Sequence, residues 1–191
     1  MRLPTLLVLT DRAQCARPLV DVVAAVVEAG ARAVVLREKD LLEPQRSRLA
    51  ERLDAILEPV GGLLVIAGAA GKRVHLSARD AFPAQRPSLV GRSCHSTTEV
   101  AAARLEGCDY VTISPVFATA SKPGYGPALG THGLAALTVD SPTAYALGGV
   151  HPPDVAGCRA AGAAGVAVMG PVMQNPRLVS SYLAALEQDP G

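Results

Sequence analysis

Short apolar runs alternate along the chain with longer stretches whose apolar residues recur at helical spacing. Nearly continuous apolar runs are typical of parallel strands that are buried on both faces. The pattern predicts eight strands, near Leu6 to Leu9, Val34 to Leu36, Leu63 to Ile66, Val74 to Leu76, Leu89 to Val90, Tyr110 to Ser114, Ala144 to Leu147 and Val166 to Val168. It also predicts amphipathic helices at about Pro18 to Ala29, Pro44 to Leu57, Thr97 to Glu106, Pro152 to Ala161 and Pro176 to Leu186.

One junction recurs at residues 28–36, 106–113 and 161–168: a helix end, a glycine suited to a left-handed stop, and a short β-branched run. Together with the eight predicted strands, this alternation predicts an α/β fold, specifically a compact TIM-type (β/α)8 barrel. Some connections must be shortened, because the 191 residues fall below the about 250 that are typical of this fold. The shortest, Ala67 to Arg73, has no room for a helix. An open doubly wound sheet is the alternative.

Composition and charge narrow the class of protein. The length predicts a single domain over residues 1–191. A net charge of +1 without a basic run argues against nucleic acid and favours a small-molecule ligand. The longest uncharged stretch is interrupted by glycine and proline, so no membrane segment is expected. Four scattered cysteines argue against a zinc site or disulfides and indicate a cytoplasmic protein. The sequence leaves open whether the protein forms a homo-oligomer.

Glycines follow the last two predicted strands, where barrels commonly bind phosphate. Gly148 and Gly149 come after the seventh strand and Gly170 after the eighth. Glycine lets the backbone approach an anion closely, so these positions predict a phosphate site. Ordinary tight turns are the alternative.

Two cations follow the second predicted strand. Arg37 and Lys39 are two residues apart, so on an extended segment both side chains face the barrel mouth while Glu38 points elsewhere. A solvated charge run is the alternative. Among the histidines, His95 and His151 also follow strands and are candidate acids or bases, with a structural role as the alternative.

The loop from Pro115 to Gly126 is rich in hydroxyls, glycine and proline and carries one cation. Such a loop is typical of a mobile lid, which would order Thr119, Ser121 and Lys122 around phosphate oxygens. An ordinary surface loop is the alternative.

Six segments, taken in order, carry a resemblance that covers nearly the whole chain. They are Leu36-Arg37-Glu38-Lys39, Val74-His75-Leu76 with Asp80, Gly91 to Ser96, Gly107 to Lys122, Leu147 to Val150, and Ala161 to Met169. The ordered set resembles the thiamine phosphate synthase and TenI (thiazole tautomerase) superfamily, whose fold is a TIM barrel.

The resemblance implies an enzyme and assigns its site residues. Those implied to bind the phosphate of a hydroxyethylthiazole phosphate are Gly148, Gly149, Val168, Met169 and Gly170. Those implied to lie in the lid are Thr119, Ser121 and Lys122, and those implied to lie near a pyrophosphate are Ser93, Arg37 and Lys39. In the synthase, a pyrimidine pyrophosphate held by Mg²⁺ loses its leaving group, and the thiazole nitrogen captures the resulting cation.

The chain departs from the synthase pattern at the residues that bind the metal. An Asn-Asp pair after the third strand is replaced by Ala67-Gly68, which leaves Asp80 as the carboxylate for any Mg²⁺. The resemblance therefore favours a metal-free, TenI-like thiazole tautomerase without a cofactor. The histidine that the best-known TenI tautomerases use is replaced by Pro115 here, so His95 is the candidate base. Arg37, Lys39 and Lys122 are further catalytic candidates. The alternatives are a divergent Mg²⁺-dependent thiamine phosphate synthase and a noncatalytic thiazole phosphate binder.

Overall fold

Buried aliphatic residues dominate the strands, and their burial explains the nearly continuous apolar runs. The computed structural model describes residues 3–118 and 128–188. Within these residues, eight parallel strands close into a barrel in chain order. They are β1 (Leu6–Leu9), β2 (Ala33–Leu36), β3 (Leu63–Ala67), β4 (Arg73–Leu76), β5 (Leu89–Cys94), β6 (Tyr110–Ile113), β7 (Thr143–Leu147) and β8 (Gly165–Val168). Because β1 pairs with both β2 and β8, the sheet is the predicted TIM-type barrel and not an open doubly wound sheet.

Helices follow most of the strands. They are α1 (Leu19–Glu28), α2 (Glu43–Leu57), α3 (Thr97–Leu105), α4 (Gly130–Thr138), α5 (Val155–Ala160), α6 (Gly170–Gln174) and α7 (Leu178–Glu187). Alternation along each strand sends one set of side chains outward, where Val8 and Val34 pack with helix residues such as Val23. The other set, with Val35 and Tyr145, fills the barrel interior. The barrel is therefore a packed core, and its open ends remain for ligands.

The differences from the predicted elements have local causes. Helix α4 escaped prediction because it begins Gly130-Thr131-His132-Gly133, residues of weak helix propensity. Strand β5 continues to Cys94 because Arg92 and Ser93 interrupt the apolar run without interrupting the pairing with β6. Between β3 and β4 the chain passes directly from one strand to the next, as predicted.

The remaining sequence expectations concern cysteines and membranes. Cys94, Cys108 and Cys158 are buried free thiols, and Cys15 is partly buried. Burial raises the pKa of Cys94 to about 12, which keeps this thiol protonated. Among residues 3–118 and 128–188, no helix is long and apolar enough to cross a membrane.

Candidate functional site

A cavity of about 860 Å³ opens at the carboxyl ends of the barrel strands. Residues at or just after the ends of all eight strands line it, so the cavity is surrounded by the whole barrel. Its volume lies in the upper part of the roughly 300–1,000 Å³ range of small-molecule sites. This is the end at which TIM barrels carry their chemistry.

The glycines that follow β7 lie at one side of this cavity. Gly148 and Gly149 have φ angles of +93° and +64°, a region that disfavours other residues. A Cβ added to Gly149 would lie 2.3 Å from the carbonyl oxygen of Ala118, so this position has no space for a side chain. The backbone N–H of Phe117 donates to the Gly148 carbonyl at 2.9 Å and fixes the turn.

Strand β8 completes this side because it pairs with β7. Val168, Met169 and Gly170 line the cavity next to the glycine turn, and Gly170 is the first residue of α6. The structure therefore brings together all five residues that the sequence assigned to phosphate binding. They lie after the last two strands, the position at which the sequence predicts a phosphate site, and their binding of phosphate remains a prediction.

Two cations from the end of β2 lie on another part of the wall. The backbone N–H of Arg37 donates to Thr10 Oγ1 at 3.0 Å, and its Nη1 lies 2.7 Å from Met169 Sδ. Lys39 is half-exposed, with Nζ 3.5 Å from Asp80 Oδ2. Both cations line the cavity, as the two-residue spacing predicted.

Glu38, between these cations, is buried and held by Arg12. Its carboxylate accepts from the Arg12 backbone N–H at 3.1 Å and from Arg12 Nη1 at 3.0 Å. The same guanidinium pairs with Asp40, and its hydrogen bond lowers the pKa of that carboxyl. Arg12 therefore ties the loop after β1 to the loop that carries Arg37 and Lys39.

The described residues do not form a dedicated protein cage for a Mg²⁺ ion. Asp80 Oδ2 accepts from the Ser77 backbone N–H at 2.8 Å, and although burial opposes it, this bond together with Lys39 lowers the pKa of Asp80. At the end of β3, where the synthases carry Asn-Asp, Arg46 donates to the carbonyl of Ala67. Within residues 3–118 and 128–188, no three His, Cys, Asp or Glu side chains are grouped for a metal. Asp80 is a single carboxylate paired with Lys39, so a Mg²⁺ ion here would need ligand phosphates to complete its coordination.

His95, the predicted base, lies at the cavity wall. Its Nδ1 is 2.6 Å from the Ser114 carbonyl oxygen, which only accepts hydrogen bonds. Nδ1 therefore carries a proton, and in the neutral ring the lone pair is on Nε2. Its backbone N–H donates to Glu99 at the start of α3. His151 also lines the cavity, but its backbone contributes to a capping box with Asp154.

His75 is the site residue that sequence reasoning left aside. It is buried on β4, lines the cavity floor, and places Nε2 2.9 Å from Ser93 Oγ. The signal was available, since His75 stands between apolar Val74 and Leu76 on a strand whose alternate positions face the barrel interior. Burial lowers the pKa of His75 to about 4, and Lys39 and Arg37 act in the same direction. The ring is neutral near pH 7.

This depressed pKa predicts a stability loss in mild acid. The unfolded chain binds a proton at this histidine near pH 6.5, whereas the folded protein does so only near pH 4. Stability is therefore complete above the unfolded pKa and falls as the pH drops between these values. Between pH 7.5 and 4.5, the free energy of unfolding should fall by about 2–3 kcal/mol more in the wild type than in His75→Gln. Urea unfolding at both pH values measures this, and equal losses would contradict the buried neutral histidine.

Three predicted lid residues, Thr119, Ser121 and Lys122, lie outside the described residues, so their predicted roles remain predictions. The segment that leads to them is described as far as Ala118, which lines the cavity together with Pro115. After the undescribed segment, the backbone N–H of Leu129 donates to the Pro115 carbonyl at 3.0 Å. Both flanks of the loop are therefore anchored at the barrel mouth.

Comparisons with known proteins agree with the architecture. Residues 6–172 match the family model described as thiamine monophosphate synthase. A thiamine-phosphate synthase of Solidesulfovibrio magneticus is 37% identical over 145 residues, 69% of each chain. One of Methanoregula boonei is 33% identical over 171 residues, 80% of this chain and 77% of that protein. The structure of a thiamine phosphate pyrophosphorylase from Pyrococcus furiosus has a TM-score of 0.81 at 22% identity, covers 96% of this chain and 95% of its own, and supports the fold alone.

Proposed function

Because the chain belongs to the thiamine monophosphate synthase family, we propose that it joins a hydroxymethylpyrimidine pyrophosphate to a hydroxyethylthiazole phosphate. One observation carries the proposal: a single cavity has two walls of different chemistry, each of them suited to an anion. Backbone glycines after β7 and β8 form one, and Arg37 and Lys39 after β2 form the other. A tautomerase acts on one monophosphate, whereas the joining reaction has two anionic substrates to hold.

The residues divide the reaction between them. The bond between the pyrimidine methylene carbon and the diphosphate oxygen breaks, and its electron pair leaves with the diphosphate. Arg37 and Lys39 stabilise the charge that develops on the departing oxygens, since charge-assisted hydrogen bonds are strongest where charge accumulates. The thiazole nitrogen then donates its lone pair to the methylene carbon, which completes the new C–N bond.

The glycine wall has a positioning role in this scheme. Gly149 and the residues after β8 hold the thiazole phosphate by its anion, which leaves the ring nitrogen to approach the pyrimidine carbon. Holding two reactants in one orientation removes much of the entropic barrier to their encounter. No step is assigned to Mg²⁺, because the described residues do not form a metal cage of their own.

A thiazole tautomerase, the function first favoured from the sequence, is the second candidate. The observation in its favour is His95, whose Nδ1 is held by the Ser114 carbonyl so that Nε2 carries the lone pair in the neutral ring. The named relatives are synthases, which favours the joining reaction. A tautomerase rate that His95→Asn leaves unchanged would exclude His95 as the base, whereas a wild-type protein without any tautomerase rate would remove this candidate.

Calorimetric titration tests the two-walled cavity directly. Thiazole phosphate is titrated into the protein alone and into the protein saturated with inorganic pyrophosphate, with Mg²⁺ and then with a chelator. The proposal predicts that thiazole phosphate binds in both cases, since the two anions occupy different walls. Mutual displacement would show a single anion site and support the tautomerase or a noncatalytic binder.

A further inference from the structure

A line of buried hydroxyl and imidazole groups runs from the cavity into the barrel. We propose that Tyr110 is a positioning residue, which acts through His75 to make Ser93 donate its hydroxyl proton to an anionic ligand in the cavity. The inference rests on the proposed function, because the ligand oxygen is then that of the diphosphate. Tyr110 itself does not line the cavity.

The three groups are in hydrogen-bond contact. The Tyr110 hydroxyl lies 3.1 Å from His75 Nδ1, and His75 Nε2 lies 2.9 Å from Ser93 Oγ. The His75 and Tyr110 rings are stacked, with centroids 5.5 Å apart and planes 27° apart. Tyr110 is fully buried and does not line the cavity, whereas His75 and Ser93 both do.

Strand register explains why these rings meet. His75 on β4 pairs with Gly91 on β5, and Gly91 pairs in turn with Tyr110 on β6. A Cβ added to Gly91 would lie 2.0 Å from Tyr110 Cζ. The glycine between the two strands therefore provides the space in which tyrosine and histidine contact each other inside the barrel.

The direction of the hydrogen bonds follows from protonation. Burial raises the pKa of Tyr110 far above its usual value, so the phenol keeps its proton, and His75 is neutral. Among the residues described, His75 is the one hydrogen-bond partner of the Tyr110 hydroxyl. If Nδ1 carried the ring proton, the phenol proton would be buried without an acceptor. The phenol therefore donates to Nδ1, and Nε2–H donates to Ser93 Oγ.

Ser93 then has its own proton left for the cavity. Its Oγ accepts a hydrogen bond from His75 Nε2–H. It also accepts one from the Thr112 hydroxyl, whose Oγ1 is 3.4 Å away. With its lone pairs occupied on the protein side, the hydroxyl hydrogen points towards the ligand. An O–H donor fixed in this direction suits a phosphate oxygen and supplements the charges of Arg37 and Lys39.

The first test reads the tautomer of His75 in the ligand-free protein. Two-bond proton–nitrogen correlation spectra of protein labelled with ¹⁵N-histidine distinguish protonated from unprotonated ring nitrogens. The proposal predicts His75 with a proton on Nε2 and none on Nδ1 near pH 7. A proton on Nδ1 would overturn it. This measurement needs no variant and no turnover, so it is independent of whether the joining reaction occurs.

The second test measures the coupling to ligand. Tyr110→Phe keeps the ring and removes the donor, so inorganic pyrophosphate should bind about three- to tenfold more weakly. Tyr145→Phe is the matched control, because this buried tyrosine packs edge-on against Tyr110 but donates to the Pro4 carbonyl, away from the cavity. In a Ser93→Ala background, Tyr110→Phe should have no further effect. An equal loss from Tyr110→Phe with and without Ser93 would contradict an action through Ser93.

Discussion

Replacing Arg37 with methionine is expected to lower kcat for thiamine phosphate formation by about 10²- to 10³-fold, the usual cost of removing one donor to a developing negative charge. The guanidinium faces the cavity and lies between the Met169 side chain and the Thr10 carbonyl. Methionine retains much of its length without its charge. Initial rates with both substrates saturating measure the effect on kcat.

Arg48→Met is the matched control for this prediction, because Arg48 is an exposed arginine of α2 that does not line the cavity. Its rate should equal that of the wild type. A loss in Arg37→Met confined to KM would show that Arg37 binds the ground state and transition state equally. That result would contradict a role in stabilising the leaving diphosphate.

Gly149→Ala should weaken thiazole phosphate binding by about 100-fold, because each hydrogen bond to a charged ligand contributes about 1.5–3 kcal/mol. The added methyl group would lie 2.3 Å from the Ala118 carbonyl oxygen and 2.8 Å from the Phe117 carbonyl carbon. The turn must move to relieve these contacts, and the backbone that faces the anion moves with it. Calorimetric titration of thiazole phosphate measures the loss.

Gly61→Ala separates this effect from backbone strain. Gly61 has φ of +63°, almost the value at Gly149, but a Cβ there would have nothing within 4 Å. Both variants should lose about 1 kcal/mol of stability from the left-handed conformation. Only Gly149→Ala should lose affinity. Wild-type binding by Gly149→Ala would show that the phosphate is held elsewhere.

The barrel could be predicted because each strand and most of the helices leave a local pattern in the sequence. Continuous apolar runs such as Val34 to Leu36 and the glycine after α1, α3 and α5 follow from short-range rules. The cluster of Gly148, Gly149 and Gly170 was also predictable, since barrel topology places successive strand ends side by side. These inferences need no knowledge of which residues face each other across the sheet.

Contacts between side chains on different strands could not be predicted from the sequence, because they depend on the register in which the strands pair. His75, Gly91 and Tyr110 are 16 and 19 residues apart along the chain, and only the pairing of β4, β5 and β6 brings them together. The contact of Arg12 with Glu38 likewise joins two loops separated by a helix. Hydrogen bonds of this kind depend on side-chain direction within an angstrom, which periodicity does not specify.

The order of the two enzymatic functions changed for a different reason. The loss of Asn-Asp at Ala67-Gly68 gave the metal-free tautomerase first place in the sequence interpretation. Close relatives named as synthases favour the joining reaction, and the cationic wall at Arg37 and Lys39 supports it. One replaced metal ligand is therefore weaker evidence about the reaction than the family match together with the two walls of the cavity.

Product formation is the most direct test of the two-substrate account. The purified protein is incubated with hydroxymethylpyrimidine pyrophosphate and hydroxyethylthiazole phosphate, and thiamine phosphate is quantified by conversion to a fluorescent thiochrome, with Arg37→Met as the negative control. The account predicts thiamine phosphate and inorganic pyrophosphate in equal amounts, with the signal lost in the variant. Absence of both products, while the protein still converts the thiazole phosphate tautomer, would contradict the joining reaction and assign the cavity to tautomerisation.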